Sequence, residues 1–274
     1  MQHRRITSHG TSLPARTDNS GMTFPAHWDD GTDPASPEHQ IHWYDQRTAI
    51  IRQSLRTSFE GPFIYLLLGT ERALLLDTGT GDAKLRPVVK SLLSGQELIV
   101  AHTHSHGDHV GGDAEFDQVV GKTAEDVAAY FEIADWPNEV VQLELGDRVL
   151  DIIPIPGHHA SHIAVYDRTS KVLFSGDSLY PGRLYVFDWP AFRASVARLV
   201  EFVAAGNPVE QILGAHIELT QEPGRDFEMG ADKHPDEHEL RLDPAVLTEL
   251  AQVLDEAGPE PARIVRDHFI VYPV

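Results

Sequence analysis

The sequence predicts an α/β protein built as an αββα sandwich, with two mixed β-sheets and helices on their outer faces. Three observations lead there. Short apolar runs bounded by glycine, proline or charged residues recur along the chain and read as buried strands. Other segments place apolar residues three and four apart, as amphipathic helices do. The order is strands and then helix in each half, which puts sheets inside and helices outside.

Residues 1–45 are poor in aliphatics and rich in Gly, Pro, Asp, Ser and Thr, so an irregular N-terminal extension is expected. Within it, His27-Trp28-Asp29-Asp30-Gly31 reads as a tryptophan tucked against the domain surface, with a loop over an active-site mouth as the alternative. From Arg47 the composition shifts. Residues 48–56 read as a partly exposed strand, 62–69 as a buried strand, and 73–77 as its return after a turn at Glu71-Arg72. Leu85, Val88, Val89, Leu92 and Leu93 repeat at helical spacing; Pro87 belongs in a first turn, and Gly95 ends the helix. Residues 98–101 are a strand, and 117–120 a short one.

Thr123-Ala124-Glu125-Asp126 resembles a capping box with Asp in place of Glu, opening a helix whose apolar face is Val127, Tyr130 and Phe131. Residues 140–145 and 149–155 are strands about the turn Gly146-Asp147, and 163–167 and 171–175 form a hairpin. Trp189, Phe192, Val196, Leu199, Val200 and Val203 mark one face of a long helix. Residues 211–214 are a buried strand and 217–241 an irregular polar stretch. A helix starts at Asp243-Pro244, and 262–265 and 269–272 are closing strands.

The chain is organised around Thr103-His104-Ser105-His106-Gly107-Asp108-His109, which follows the apolar run Leu98-Ile99-Val100-Ala101. Nitrogen and oxygen donors at a strand end suit a divalent metal, chiefly zinc. His104 and His106, two apart, point the same way from an extended segment. Gly107 lets the backbone turn before Asp108 and His109, so the four side chains can diverge toward two neighbouring ions. Cysteine is absent, which excludes disulfides and thiolate ligands.

The formal net charge is −20 and the pI near 5.1, which argues against nucleic acid because phosphate binding needs a basic surface. No run approaches the ~18–20 apolar residues of a membrane span. Met1-Gln2-His3-Arg4-Arg5 has no apolar stretch behind it, so no secretory signal is expected and the cytoplasm is the default location. The expected partner is a small-molecule substrate, with neither nucleic acid nor membrane involved; a homodimer is compatible with the sequence. No Gly-x-Ser-x-Gly element or phosphate-binding glycine loop is present.

His-x-His-x-Asp-His after an apolar strand resembles the signature of the metallo-β-lactamase-fold superfamily. Further landmarks follow in order from Asp77 to His216, so the resemblance covers about residues 47–274 and implies one catalytic domain over 46–274. Pro156-Gly157-His158 resembles the element whose histidine binds metal, Ser175-Gly176-Asp177 the context of a bridging aspartate, and Gly214-Ala215-His216 the last ligand. The resemblance implies two Zn(2+) ions, with iron or manganese as substitutes. One would be held by His104, His106, His158 and Asp177, and the other by Asp108, His109, His216 and Asp177. Asp77 resembles a carboxylate that supports the metal loop from behind. His159 and His162 read as supporting or loop-packing groups.

An Asp at 177 resembles glyoxalase II and lactonases, whereas many true β-lactamases have Cys or Ser there. The implied activity is hydrolysis of a small ester, thioester or lactone by a metal-bridging hydroxide, with Asp108 as proton carrier. The alternatives are an iron-dependent oxidoreductase and, behind it, a β-lactamase or a phosphodiesterase or nuclease. Tyr180 and Tyr185 are candidate donors to a substrate carbonyl and Arg183 a candidate anion binder. His234 and His238, four apart, are a candidate third metal pair or an exposed cap.

Overall fold

The computed structural model describes residues 24–25 and 27–274. Of the expected N-terminal extension, residues 1–23 and 26 therefore lie outside the described residues. Residues within the remainder form β1 (His39–Asp45), which pairs antiparallel with β2 (Thr48–Gln53). The first sheet continues through β3 (Phe63–Leu68) and β4 (Arg72–Leu76). Helix α1 (Arg86–Leu92) then crosses over, and β5 (Glu97–Ala101) lies parallel to β4.

The metal-loop residues wind into the short helix α2 (Gly107–Val110), and α3 (Ala124–Phe131) follows. The capping box of α3 is present: Thr123 Oγ1 accepts from the Asp126 backbone N–H, and the Asp126 carboxylate accepts from Thr123 N–H. The strands β6 (Val141–Glu144), β7 (Val149–Pro154), β8 (Ile163–Asp167) and β9 (Val172–Gly176) form an antiparallel meander. β10 (Arg183–Val186) leaves it, α4 (Trp189–Ala204) crosses over, and β11 (Gln211–Gly214) returns parallel to β9. β12 (Arg241–Leu242) makes the edge of this six-stranded sheet, and α5 (Ala245–Ala257) packs behind it.

Side-chain alternation explains the layering. Ile50, Tyr65, Leu67, Leu74 and Leu76 of the first sheet meet Ile152, Val165, Phe174 and Leu213 of the second in the central core. Their alternate neighbours Ile51, Ile64, Leu66 and Leu75 turn outward onto Val89 and Leu92 of α1. On the far side, Ile153, Tyr166, Leu173 and Ile212 pack on Phe192, Val196 and Leu199 of α4 and Leu247, Leu250 and Leu254 of α5. Both faces of the central strands are thus covered, which is why runs such as Phe63–Leu68 are apolar without interruption.

Arg148 ties the layers together. Its guanidinium donates to Arg47 O, to Thr48 Oγ1 and to the buried Asp167 carboxylate, each at 2.7 Å. A buried arginine is tolerated because its charge is paired and both its terminal nitrogens are hydrogen-bonded, Nε alone lacking a partner.

Five expectations need correction. The extension expected to be irregular through residue 45 ends in a regular strand, β1, because His39–Asp45 pairs along β2. β2 is buried throughout rather than partly exposed, because β1 covers its edge; its Arg52 is neutralised by the nearly buried Glu237. Residues 117–120 form no strand; Val120 makes one ladder-like bond, from its N–H to Val100 O at 2.9 Å. A third, three-stranded sheet pairs β10 with β14 (Ile270–Pro273) and β13 (Ile264–Val265). Tyr130 of α3 is exposed, so Val127 and Phe131 alone carry that helix's buried face. Trp28 is buried edge-on against Phe63, with ring centroids 4.9 Å apart.

Candidate metal centre

Strands β4, β5, β7, β9 and β11 all end at one edge of the sandwich, and the residue or short loop after each carries a predicted site residue. The structure brings the seven candidate ligands together in two adjoining groups. In the first, His104 Nε2, His106 Nδ1 and His158 Nε2 lie 3.0–3.1 Å from one another. In the second, Asp108 Oδ2 lies 3.2 Å from His109 Nε2 and 3.1 Å from His216 Nε2, and those two nitrogens are 3.4 Å apart. Zinc bonds nitrogen ligands at about 2.0–2.1 Å, so tetrahedral neighbours fall about 3.3–3.4 Å apart, close to both groups.

Asp177 stands between them. Its Oδ1 is 3.5 Å from both His109 Nε2 and His216 Nε2, while its Oδ2 is 3.6 Å from His158 Nε2 and 3.9 Å from His104 Nε2. Oδ1 is buried and has no hydrogen-bond partner. A buried carboxylate oxygen left so is costly unless a cation meets it. The donor set, five imidazoles and two carboxylates with no thiolate, fits borderline divalent ions such as zinc.

Four of the five histidines are held from behind through Nδ1; His106 turns its Nδ1 into the group instead. The Asp77 carboxylate lies 2.9 Å from His109 Nδ1 and accepts the Thr103 backbone N–H at 2.7 Å. Thr103 Oγ1 donates to Asp77 Oδ2 at 2.9 Å and lies 3.1 Å from His104 Nδ1. His158 Nδ1 donates to Tyr185 O at 2.7 Å and His216 Nδ1 to Glu60 O at 3.0 Å. With Nδ1 committed as donor, Nε2 keeps its lone pair for a metal.

Local backbone makes this possible. Asp77 sits at φ 72, and its N–H donates to Ala101 O at 2.8 Å. The turn after α2 lies backbone to backbone on the loop after Asp77: a Cβ on Gly111 would stand 2.1 Å from Thr80 O. Gly157, at φ 141, has Phe192 Cα 2.4 Å from where a Cβ would be, so His158 can follow only a glycine there.

The two groups differ electrostatically. Burial and the imidazoles around it hold His104 well below the usual histidine range, and burial brings His158 down to about 4. Burial also disfavours a charged His216, yet Asp177 and Asp108 carry it up to about 10. His109 likewise rises well above the ordinary value despite its burial, driven by Asp108, Asp177 and Asp77. The second group therefore attracts cations strongly, while the first offers three neutral imidazoles.

The substrate candidates fare differently. The Tyr180 hydroxyl is buried and engaged by Arg183 O and Glu218. Arg183 is caged: it donates to Tyr185 Oη at 2.9 Å, Asp226 at 2.9 Å, Phe227 O at 2.8 Å and Glu218 at 3.1 Å. These bonds take up four of its five N–H donors, and the two carboxylates neutralise its charge, which disfavours binding a further anion. Tyr185 alone stays half-exposed, accepting from Arg183 Nε and keeping its own proton to donate.

His162 is fully buried, with Nδ1 2.8 Å from Ser178 Oγ, and His159 pairs with Ser161, so both are loop-packing groups. His234 stacks on Phe227 at 4.3 Å while His238 pairs with His268 at 2.9 Å, so the two are not one site. The supports the sequence hides are backbone oxygens, Glu60 O and Tyr185 O. Thr103 was in view within the metal loop, where its position between an apolar strand and His104 was the available signal.

Two facing mixed sheets with a histidine and aspartate cluster at their shared edge define a metal-binding α/β sandwich. The chain belongs to the metallo-β-lactamase superfamily, whose profile, described as "Metallo-beta-lactamase superfamily", matches residues 58–268. It is similar to the acyl-coenzyme A thioesterase MBLAC2 of Homo sapiens, 32% identical, with 56% of this chain and 72% of that one covered. It is also similar to the hydroxyacylglutathione hydrolase of Pseudomonas syringae pv. syringae, 35% identical over 53% of this chain and 59% of that one. Among solved structures, the metallo-β-lactamase FIM-1 from Pseudomonas aeruginosa in its mono-zinc form superposes with a TM-score of 0.57 at 16% identity, covering 83% of this chain and 99% of that one; this likeness concerns the fold. The chain is a metal-dependent hydrolase. No helix among the described residues is long and apolar enough to cross a membrane.

Proposed function

We propose that this hydrolase cleaves a thioester, or a closely related small ester or lactone, with two zinc ions. The observation that carries the reading is the placement of Asp177, with Oδ1 toward the Asp108 group and Oδ2 toward the histidine triad. The relatives' names support the substrate class, one being a thioesterase and the other acting on hydroxyacylglutathione. Ions held there would polarise a carbonyl and lower the pKa of water to about 7.

The chain's own residues do the rest. His104, His109, His158 and His216 are fixed in orientation by Thr103, Asp77, Tyr185 O and Glu60 O, so the cluster keeps its geometry through turnover. Asp108 directs Oδ2 at His109 and His216, leaving Oδ1 as the atom that takes up and returns the proton. The Tyr185 hydroxyl, already accepting from Arg183, donates to a substrate oxygen. Arg183, neutralised by Glu218 and Asp226, binds no anion.

The test is a panel of acyl thioester, lactone, aryl ester, β-lactam and phosphodiester substrates offered to zinc-loaded protein. Thioester or lactone turnover is expected, and Asp108→Ala should lower kcat by about 10²–10⁴. Turnover of the phosphodiester or β-lactam alone would overturn the reading.

A further inference from the structure

We infer that Phe187 selects for substrates with an apolar acyl chain, by lining the route that the chain takes away from the histidine triad. The inference rests on the proposed acyl hydrolysis and adds which end of the substrate is recognised and by what.

Phe187 is 59% exposed, one of the most exposed large apolar side chains among the described residues. Its ring centroid lies 5.8 Å from those of both His106 and His158, at steep angles to each. Single exposed aromatics are common and need no explanation by themselves. What sets this one apart is a backbone fixed on both sides. Phe187 N–H and Asp188 N–H both donate to Gly157 O, at 3.1 and 2.9 Å. Asp188 caps α4 by accepting from Ala191 N–H at 3.0 Å. Two residues earlier, Tyr185 O accepts from His158 Nδ1, and Tyr185 and Val186 are paired with β14.

The segment that orients His158 from behind therefore also presents an exposed phenyl ring beside the buried His158 and the half-buried His106. A phenyl ring offers contact to methylenes but neither a formal charge nor a hydrogen-bond donor to an anionic group. A polar or anionic thiol carrier gains nothing from it, whereas an acyl chain leaving the reacting carbonyl along this side covers apolar surface. Selectivity should therefore grow with chain length.

The experiment measures kcat/KM for a series of acyl thioesters from acetyl to decanoyl, using zinc-loaded wild type, Phe187→Ala, Phe187→Leu and the remote control Tyr130→Ala. Zinc content is measured for each. The expected result is a wild-type rate constant that rises with chain length. Phe187→Ala should lose roughly tenfold for octanoyl but under about twofold for acetyl, mostly in KM. Phe187→Leu should retain most of the slope, and Tyr130→Ala all of it. Equal losses at every chain length would assign Phe187 to packing on His106 and His158 and overturn the inference, as would an unchanged slope. If the wild type turned over no acyl compound at all, the hydrolase reading would fail and this inference with it.

Discussion

The Asp77 carboxylate lies 2.9 Å from His109 Nδ1 at the very start of the loop after β4, and it simultaneously accepts the Thr103 N–H at 2.7 Å. One buried side chain thus fixes both the first residue of the metal loop and the imidazole near its end. Asp77→Ala removes both bonds and leaves a buried N–H without an acceptor. A loss of about 1–3 kcal/mol in stability is expected from that donor, together with a metal affinity lowered about 10–100-fold. Chelator competition and thermal unfolding read the two effects separately.

Metal uptake should release protons from one group and not the other. At pH 7.5 His158, near 4, is already neutral, whereas His216, raised to about 10, and His109, raised well above its ordinary value, carry protons that an ion must displace. About two protons should leave as the second group fills and none as the triad fills. Calorimetry in buffers of differing ionisation enthalpy measures this. Affinity at the second group should climb as pH rises toward 10, while the triad's stays flat above the ordinary histidine value of about 6.5, since all three of its imidazoles are shifted downward.

In the metal-free protein these histidines move stability in opposite directions. The folded pKa of His158 is depressed, so the unfolded chain binds its proton more readily between about 4 and the ordinary 6.5. Stability from that group is lost as pH falls through this window. The folded pKa of His216 is raised, so its contribution is complete below 6.5 and disappears as pH rises through about 10. Unfolding midpoints of the chelated protein across pH 4–10 check both signs.

Arg183→Ala should behave as a structural lesion. It leaves Glu218 and Asp226 without their cation and is expected to cost about 2–4 kcal/mol. KM should change no more for an anionic substrate than for a neutral one. A selective rise in KM for anions would restore the anion-binding role.

Strand positions were legible wherever both faces are buried, because continuous apolar runs such as Phe63–Leu68 admit little else. β1 was hidden because His39–Asp45 has neither a continuous apolar run nor a clean alternation, and only its first residue is buried. β10 was hidden because its first and third residues are Arg183 and Tyr185; a buried, paired arginine looks like a solvated one until Glu218 and Asp226, 35 and 43 residues away, are placed beside it. The seven clustered residues could be read from motif order, since each follows an apolar strand. Their supports at Glu60 and Tyr185 could not, because a carbonyl oxygen carries no side-chain signature.

The account stands on Asp177 joining two ions. Anomalous scattering at the zinc edge from zinc-loaded crystals tests that directly. Two peaks are expected per chain, one among His104, His106 and His158, the other among Asp108, His109 and His216, each within bonding distance of a different Asp177 oxygen. A single peak at full zinc loading, or a pair that leaves Asp177 uncoordinated, would contradict it.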